Sequence, residues 1–490
     1  MNIEKVESLL ERSRPAPPPP DLRRRILEAV DRRASLVPVS PRKPRWMEVM
    51  TVAASIFMLI ATVSWLFRAA PPAPVPASQD GGQPFENRRL SDAFPAEPMI
   101  DFIWSADGKH WACVFPTGSG TVVAAVDGKR EKEYSQVTGF RFGADGRYAY
   151  TAVGEAGVGL VVDGVAQKDF EAYPSFAWSP DGKKLAFVGW REDQVVVVED
   201  GRKSGAYGDV QELLWSPDGS ILAYGARIGQ DMFCVVNGKK GEPFDEIGNL
   251  RFAPDGKTLA YAAREGDALL VVGTAKGADY SHVGIPIFSG DGTTIGYAAS
   301  GANGQFVVVA RRGGKSVCSE AYVEVGTPVA SRDGRVWACR ARLKSEKEAV
   351  LIVKRETRRY KLDKEEVLHE SDILTEDMGA AADSVSDPIL NAEGTLVAYA
   401  AGKGSRKYLV VGDQRTQKFS TIDRLSFGPD GKTVAFRAGQ YGKQLVVVGE
   451  SRSDEFDEVV SGPVWSRDGR KVAFTARNGA ELWSRVLDVK

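Results

Sequence analysis

The sequence predicts an all-β fold built from repeated four-stranded units and preceded by a single transmembrane helix. One phrase occurs ten times: alternating apolar residues lead into a small-Pro-Asp-Gly turn, and an apolar-Ala-aromatic triplet follows, as in LLWSPDGSILAY at residues 213–224. The turn glycines lie about 37 residues apart, and a fixed period of this length indicates a repeat architecture. They are Gly108, Gly146, Gly182, Gly219, Gly256, Gly292, Gly334, Gly394, Gly431 and Gly469.

Each repeat contains four predicted strands. In the fourth copy, the first strand is the alternating run that ends at Trp215, and the Pro-Asp-Gly sequence then suits a tight turn. The second strand holds the triplet 222–224, and the third is the continuous apolar run 233–236, which indicates burial on both faces. The fourth, at 242–248, is more polar and suits an outer rim. Four such strands per repeat form the blade of a β-propeller.

The phrases SPDGKKLAF, SPDGSILAY and APDGKTLAY resemble the WD40-like repeat of TolB-type propellers, known as PD40, over roughly residues 100–490. The resemblance implies a ring that binds other proteins or accompanies a separate catalytic domain, and no catalytic residue carries over from it. Two copies depart from the pattern. Ala330 replaces the first-strand aromatic residue, and Glu393 replaces the turn aspartate, so we expect these two corners to be less regular.

The turn acids are predicted to be structural. A calcium ion needs six or more oxygen ligands, and one acid per blade cannot supply them. The turn acids are Asp107, Asp145, Asp181, Asp218, Asp255, Asp291, Asp333, Glu393, Asp430 and Asp468.

The two ends of the repeat array predict ring closure. The last repeat has only three strands, and residues 85–94, ahead of the first repeat, can supply the fourth. We expect one large ring of about ten blades, with two fused five-bladed rings as the alternative. An insertion at residues 356–387 is charged and is expected to form a loop with one short helix.

Residues 49–67 carry no charge over 19 positions, which is enough for a helix to cross a membrane. Arg42, Lys43 and Arg45 precede this span, so the positive-inside rule places residues 1–47 in the cytoplasm and the propeller (85–490) in the periplasm or outside the cell. The expected anchor is a single span (48–68) in the inner membrane, and a Pro/Gly-rich linker (69–84) follows it. A cleaved signal peptide is the alternative, but the leader is too long and too charged.

The cytoplasmic segment 1–47 contains two stretches with helical spacing, Ile3–Val6–Leu10 and Leu22–Ile26–Val30. With the basic lead to the span, residues 17–33 resemble the membrane-proximal part of bacterial anti-sigma factors, although no His or Cys precedes His110. That resemblance implies a cytoplasmic partner. The alternative is a basic helix that lies on anionic lipid.

The chemical inventory favours binding over catalysis. A net charge of −1 gives no reason to expect a nucleic-acid partner. His110, His282 and His369 are far apart, and they are expected at a turn, in an outer strand and in the insertion. Cys113, Cys234, Cys318 and Cys339 are expected to be core residues, and a disulfide remains open. No catalytic, cofactor or metal site is predicted.

Two classes of function follow. The first is a membrane-anchored, non-catalytic scaffold that presents the ring to a protein or cell-envelope ligand. The alternative is a transmembrane regulator that reports ring occupancy to a cytoplasmic partner of residues 1–47. An enzyme is the least favoured class.

Overall fold

The computed structural model describes residues 86–91, 99–154, 157–192, 194–361 and 368–489. The expected cytoplasmic segment, transmembrane span and linker (1–84) lie outside the described residues, and their assignments stay predictions. Among the residues described, no helix is both long and apolar enough to cross a membrane.

The described chain forms ten antiparallel sheets that follow one another in sequence. Blades 1 to 3 consist of β2 (Asp101–Trp104), β3 (Trp111–Pro116), β4 (Val122–Val126) and β5 (Lys129–Tyr134); β6 (Gln136–Phe142), β7 (Tyr148–Gly154), β8 (Gly157–Val162) and β9 (Val165–Ala166); and β10 (Ala172–Trp178), β11 (Leu185–Arg191), β12 (Gln194–Glu199) and β13 (Arg202–Lys203). A short 3₁₀ turn, Ala144–Gly146, joins β6 to β7.

Blades 4 to 6 consist of β14 (Asp209–Trp215), β15 (Leu222–Ile228), β16 (Asp231–Val236) and β17 (Lys239–Phe244); β18 (Glu246–Phe252), β19 (Leu259–Glu265), β20 (Asp267–Val272) and β21 (Ala275–Tyr280); and β22 (His282–Val283), β23 (Ile287–Phe288), β24 (Thr294–Gly301), β25 (Gly304–Arg311) and β26 (Ser316–Cys318). Trp215 and Tyr224 are both buried, on adjacent strands of blade 4.

Blades 7 and 8 consist of β27 (Glu324–Val325), β28 (Val329–Ala330), β29 (Val336–Arg342), β30 (Glu348–Lys361) and β31 (Leu368–Met378); and β32 (Ser384–Val385), β33 (Ile389–Leu390), β34 (Val397–Lys403), β35 (Arg406–Val411) and β36 (Gln414–Arg415). Blades 9 and 10 consist of β37 (Thr421–Phe427), β38 (Val434–Gln440), β39 (Lys443–Val448) and β40 (Ser451–Arg452); and β41 (Glu458–Trp465), β42 (Lys471–Asn478), β43 (Glu481–Asp488) and β1 (Arg88–Ser91).

The blades form one ring. Each of ten buried apolar clusters fills a seam between two consecutive blades, because the central strands are apolar on both faces. The tenth seam joins the two ends of the array, where Cys113 and Phe115 of blade 1 pack with Val460 and Leu482 of blade 10. Two five-bladed rings would instead need seams between blades 1 and 5 and between blades 6 and 10. The prediction of a ten-bladed propeller is therefore confirmed, as a single ring.

The predicted closure is also confirmed. β1 pairs antiparallel with β43, with Arg88 opposite Ser484 and Arg89 opposite Trp483. The Arg89 guanidinium lies 2.6 Å from the Glu481 carboxylate, and the Val486 amide donates a hydrogen bond of 3.0 Å to the Asn87 side chain. The pairing covers the outer edge of β43, which the chain would otherwise leave open.

First strands are bulged seven residues before the turn glycine. Glu212, Asn249 and Arg424 have positive φ there, and glycine occupies the position in blades 2 and 10. The register with the second strand shifts at this point, as between Gln211 and Leu214. In blades 6, 7 and 8 the first strand is instead divided in two, around Pro286, Pro328 and Pro388. Proline lacks the N–H that a continuous ladder requires.

The two departing corners keep the backbone hydrogen bonds of the other turns, so the expectation that they are less regular is wrong. Ala330 lies opposite Trp337 on the next strand, so the large side chain has changed strands. Trp337 is fully buried, and its indole N–H donates to the Gly334 carbonyl at 2.9 Å. In blade 8, Asn391 accepts the amide hydrogens of Thr395 and Leu396, which replaces the role of a turn aspartate.

The expected loop and short helix at 356–387 are wrong. β30 and β31 continue the third and fourth strands of blade 7 as one long hairpin, paired from Leu351–Met378 to Lys361–Leu368. The backbone register places Arg359 opposite Glu370. Charge density was therefore a poor guide to this segment, because it does not report strand pairing.

Closure by β1 predicts a clear difference between two truncated chains. A chain that begins at residue 99 lacks β1 and exposes the edge of β43, so it should melt at a lower temperature and aggregate. A chain that begins at residue 78 retains β1 and should remain monomeric. Thermal unfolding and size-exclusion chromatography would check this, and identical behaviour of the two chains would contradict the closure.

Candidate functional site

The predicted turn acids lie at the hairpins that join first and second strands. In blade 4 the Ser216 hydroxyl donates to Asp218 Oδ1 at 2.5 Å, the Ser220 amide donates to the same oxygen at 3.1 Å, and Ser216 Oγ accepts the Ile221 amide. The serine-to-acid bond recurs with 2.6–2.8 Å lengths at Asp107, Asp181, Asp291, Asp333 and Asp468. Asp255 and Asp430 each accept two backbone amides instead.

Two turn acids differ from this arrangement. Asp145 has a positive φ of 53° within the 3₁₀ turn. In blade 8, Asn391 and not Glu393 accepts the backbone amides of the turn. The hydrogen bond from Ser216, together with those from Ser220, lowers the pKa of Asp218 to about 2. No cluster of His, Cys, Asp or Glu within the described ranges has the geometry of a metal site. These acids hold their own turns together, and Asp255 also makes an ion pair of 2.6 Å with Arg312 of blade 6.

The ring has two chemically different faces. The turn face carries the hairpins between first and second strands and those between third and fourth strands. The crossover face carries the hairpins between second and third strands and the connections from one blade to the next. β1 runs antiparallel to β43, so it starts at the turn face and ends at the crossover face. The chain therefore joins the ring on the turn face.

A cross-strand ion pair recurs on the crossover face. An arginine eight residues after the turn glycine lies opposite an acid that opens the first strand. Arg264 is 3.0 Å from Glu246 in blade 5, Arg342 is 2.6 Å from Glu324 in blade 7, and Arg477 is 3.3 Å from Glu458 in blade 10. Sequence analysis missed these pairs. In the sequence these pairs could be recognised by an arginine that lies eight residues after the turn glycine of its blade.

Blades 4 and 6, on either side of blade 5, lack this ion pair. In blade 4, Asp209 lies opposite Arg227, but its carboxylate accepts from the Val210 amide and from Gln211 Nε2. Arg227 donates to the Gln230 carbonyl at 2.9 Å and has no carboxylate within ion-pair distance among the described residues. In blade 6, His282 takes the place of the acid and lies opposite Ser300.

A cleft of about 250 Å³ lies on the crossover face across blades 4, 5 and 6. Its lining includes the buried side chains of Met232, Ile247 and Val283. Polar side chains complete the lining: Gln211, Arg227, Glu246, Asn249, Arg264 and His282. The site thus combines apolar surface with two guanidinium groups, one imidazole and one carboxylate.

A single aromatic side chain stands out on the same face. Tyr441 is 89% exposed, at the tip of the hairpin between β38 and β39, and its φ is +51°. The equivalent residue is Gly229, Gly266, Gly404 or Gly479 in blades 4, 5, 8 and 10, each with positive φ, and in blade 3 it is Glu192, with a φ of +50°. A Cβ added to any of these glycines would meet nothing within 4 Å. A side chain at this position therefore extends into open space.

The histidines occupy unrelated places. His110 lies at the first turn, where its Nδ1 is 2.7 Å from an Asp127 carboxylate oxygen. The expected outer-strand position of His282 is wrong, because the short strand β22 belongs to the first strand of blade 6. The outer strand β21 ends at Tyr280, so His282 already belongs to the next blade. His369 lies in β31, on the long hairpin.

Three of the four cysteines are core residues, as expected. Cys113, Cys234 and Cys339 are buried, and burial raises the pKa of the Cys113 and Cys234 thiols to about 12. They are therefore protonated at neutral pH and are poor nucleophiles. Cys318 is exposed on β26, which corrects the expectation of a core position, and all four cysteines are unpaired.

No protein-family model matches the chain, and a search of curated proteins gives no relative. Among solved structures, it is similar to the Dos1 propeller, with 13% identity, a TM-score of 0.35 and coverage of 65% of this chain and 92% of that one. It is also similar to TolB from Acinetobacter baumannii, with 16% identity, a TM-score of 0.25 and coverage of 56% and 75%.

A third similar structure is the Cps50 (Swd1) β-propeller domain of Myceliophteria thermophila, with 14% identity, a TM-score of 0.30 and coverage of 57% and 96%. The likeness is one of fold alone. The ten sheets establish that the chain carries a ten-bladed β-propeller. This propeller resembles WD40 and TolB-type propellers.

The turn hydrogen bonds predict a pH dependence of stability. The pKa of Asp218 is lower in the folded chain than in the unfolded chain, where it is about 3.9. Its contribution to stability is therefore complete above about pH 4 and is lost as the pH falls toward 2. Asp218→Asn should reduce the fall in melting temperature between about pH 6 and about pH 2.5, because one of the turn carboxylates no longer titrates.

Thermal unfolding across this pH range would measure the effect. The matched control is Asp279→Asn, an exposed aspartate on β21 that makes no comparable turn. If both variants show the wild-type dependence, the hydrogen bonds of the turn do not stabilise the charged form of Asp218.

Proposed function

We propose that this chain is a membrane-anchored, non-catalytic binding protein. Its ten-bladed propeller presents the crossover face, outside the cytoplasm, to a protein or another cell-envelope ligand. The observation that carries the proposal is Tyr441, which occupies a position where the fold itself favours glycine. The other features of the crossover face support a binding role, but the proposal does not depend on them.

Tyr441 has no role in folding that accounts for it. A residue with a Cβ in the left-handed region costs about 1–2 kcal/mol, and glycine avoids most of this cost. The ring is 89% exposed, so little of that cost is recovered by burial. Exposed tyrosines that bury nothing in the free protein are frequent anchors in protein interfaces. Strain at an exposed aromatic residue therefore supports a binding role.

The neighbouring hairpin supports a partner with negative charge. At the tip between β34 and β35, Lys403 and Arg406 are exposed, and neither makes an ion pair within the described part of the chain. An aromatic anchor next to unpaired cations suits an acidic protein surface. The patch also lies on the face opposite the one where the chain enters the ring, which favours a partner over the protein's own membrane.

The anchor is part of the proposal. Residues 49–67 are long and apolar enough to span the membrane once, and the basic leader favours a cytoplasmic N-terminus. The protein would then reside in the inner membrane, with its propeller in the periplasm or outside the cell. The Pro-rich linker at residues 69–84 would act as a semi-rigid spacer.

The helical spacing within residues 1–47 favours a second candidate, a transmembrane regulator with a cytoplasmic partner. The two roles make different demands on this segment. A scaffold tolerates its replacement by any basic leader, whereas a regulator needs its particular sequence.

Tyr441→Gly should separate binding from folding. The free energy of unfolding should stay constant or rise by up to about 1 kcal/mol, because strain is relieved while glycine adds entropy to the unfolded chain. Thermal unfolding of the full chain would measure this. By contrast, truncation of a core aromatic residue costs about 3–5 kcal/mol.

Binding would be followed by placing a photo-crosslinking amino acid at position 441 in living cells. One discrete adduct is expected there, and no adduct is expected at Val165, an exposed residue on an outer strand. A lower melting temperature of Tyr441→Gly, or identical adducts at both positions, would contradict the proposal.

Membrane topology has a separate test. Alkaline phosphatase fused after Lys490 should be active, and the fusion should stay in the membrane fraction, because residues 49–67 are retained and the C-terminus is outside the cytoplasm. An inactive fusion would indicate the opposite orientation, with the C-terminus in the cytoplasm. An active but soluble product that begins near residue 71 would indicate a cleaved signal peptide.

A further inference from the structure

The cleft on blades 4, 5 and 6 is the one place where the recurring pairs of the crossover face leave positive charge unbalanced. In blades 5, 7 and 10 each arginine has an acid at 2.6–3.3 Å across the strand. Arg227 lacks such a partner among the described residues, since Asp209 is occupied by Val210 and Gln211. In blade 6, His282 lies opposite Ser300, so no carboxylate stands at this register.

We propose that this cleft binds a carboxylate attached to a small apolar group, such as the end of a peptide or an acidic side chain. The inference deepens the proposed binding role and rests on it, because it assigns a ligand class to the same face. Arg227 and Arg264 supply the charge, and His282 supplies a further N–H donor. Arg264 keeps its ion pair with Glu246 while it contacts the ligand.

Charge and geometry favour a carboxylate over a neutral ligand. A guanidinium group presents two parallel N–H donors that match the two oxygens of a carboxylate. Arg227 is half-buried, and its one hydrogen bond goes to the Gln230 carbonyl, so its remaining donors can serve a ligand. An imidazole carries an N–H donor in either protonation state. Three donors of this kind converge on one cleft.

The apolar part of the lining and the volume define the rest of the ligand. Met232, Ile247 and Val283 are at most 5% exposed, so they form a firm apolar surface at the cleft. A volume of about 250 Å³ corresponds to about eight water molecules. That is smaller than the pockets that hold drug-sized ligands, and it suits one or two residues of a peptide.

Two small probes of nearly equal shape test the inference on the full chain in detergent micelles. N-acetyl-leucine carries a carboxylate, and N-acetyl-leucinamide is its neutral counterpart. Labelled methionine methyl groups provide the readout, because Met232 lines the cleft. The acid should shift the Met232 resonance in a saturable manner, and the amide should bind at least about tenfold more weakly, since it lacks the charge-assisted hydrogen bonds.

Variants assign the effect to the cleft. Arg227→Gln should reduce binding of the acid to the level of the amide, and Arg227→Lys should retain part of it because the charge remains. Arg342→Gln is the matched control: it lies at the same register in blade 7, outside the cleft, and should leave binding unchanged. A third probe distinguishes the two sources: N-acetyl-leucyl-glutamic acid α-amide, whose C-terminus is amidated and whose side-chain carboxylate is free. Tighter binding of this probe indicates an acidic side chain, and tighter binding of N-acetyl-leucine indicates a chain terminus.

The inference is overturned if the acid gives no saturable shift, if acid and amide bind alike, or if Arg227→Gln binds as the wild type does. Its failure is distinguishable from failure of the binding role. Crosslinking at Tyr441 with an unresponsive cleft would leave the role intact and refute only the ligand class. A responsive cleft without crosslinking would support the ligand class and remove the protein-docking role of Tyr441.

Discussion

Burial of both faces of every central strand is the constraint on which this structure depends. The second and third strands of each blade are apolar on both sides, so a blade is stable only when neighbours cover it on both sides. A row of ten such blades would leave two apolar faces and two open edges at its ends. The seam of Phe115 with Leu482 removes the faces, and β1 covers the edge of β43. Four residues ahead of the first repeat thereby complete an array of about 390 residues.

The ten copies of the repeat can be compared with one another. Residues that depart from the common pattern are then of two kinds. Some are compensated nearby: Trp337 fills the volume left by Ala330, and Asn391 replaces the hydrogen bonds of the missing turn aspartate. Others are not compensated. Tyr441 adds strain without burial, and Arg227 makes no ion pair with Asp209, which lies opposite it. A departure that folding corrects is structural, whereas one that folding leaves uncorrected requires another explanation, and binding is the one we propose.

The sequence predicts those parts of the fold that depend on local periodicity. The strand order, the turn acids and the closing strand all follow from a phrase that recurs about every 37 residues. The bulge before Leu214 and the divided first strands do not, because backbone conformation at a single residue leaves little trace in apolar patterning. The long hairpin was missed for a related reason: its stability comes from pairing between β30 and β31, and charge composition does not report pairing.

The candidate site was missed because it depends on register. A slip of one residue reverses the face to which every side chain of a strand points. The bulge of β14 and the division of the first strand in blade 6 introduce such shifts, so the opposition of Asp209 to Arg227 and of His282 to Ser300 becomes apparent only once these irregularities are placed. The same geometry explains why the two faces differ. Most turn acids are held by short hydrogen bonds within their own hairpin, so their placement depends little on register. The crossover face is assembled from side chains of different strands and different blades, so its chemistry depends on register. Blades 4, 5 and 6 differ from one another at this face while each keeps its place in the ring, and the binding site that we propose lies there.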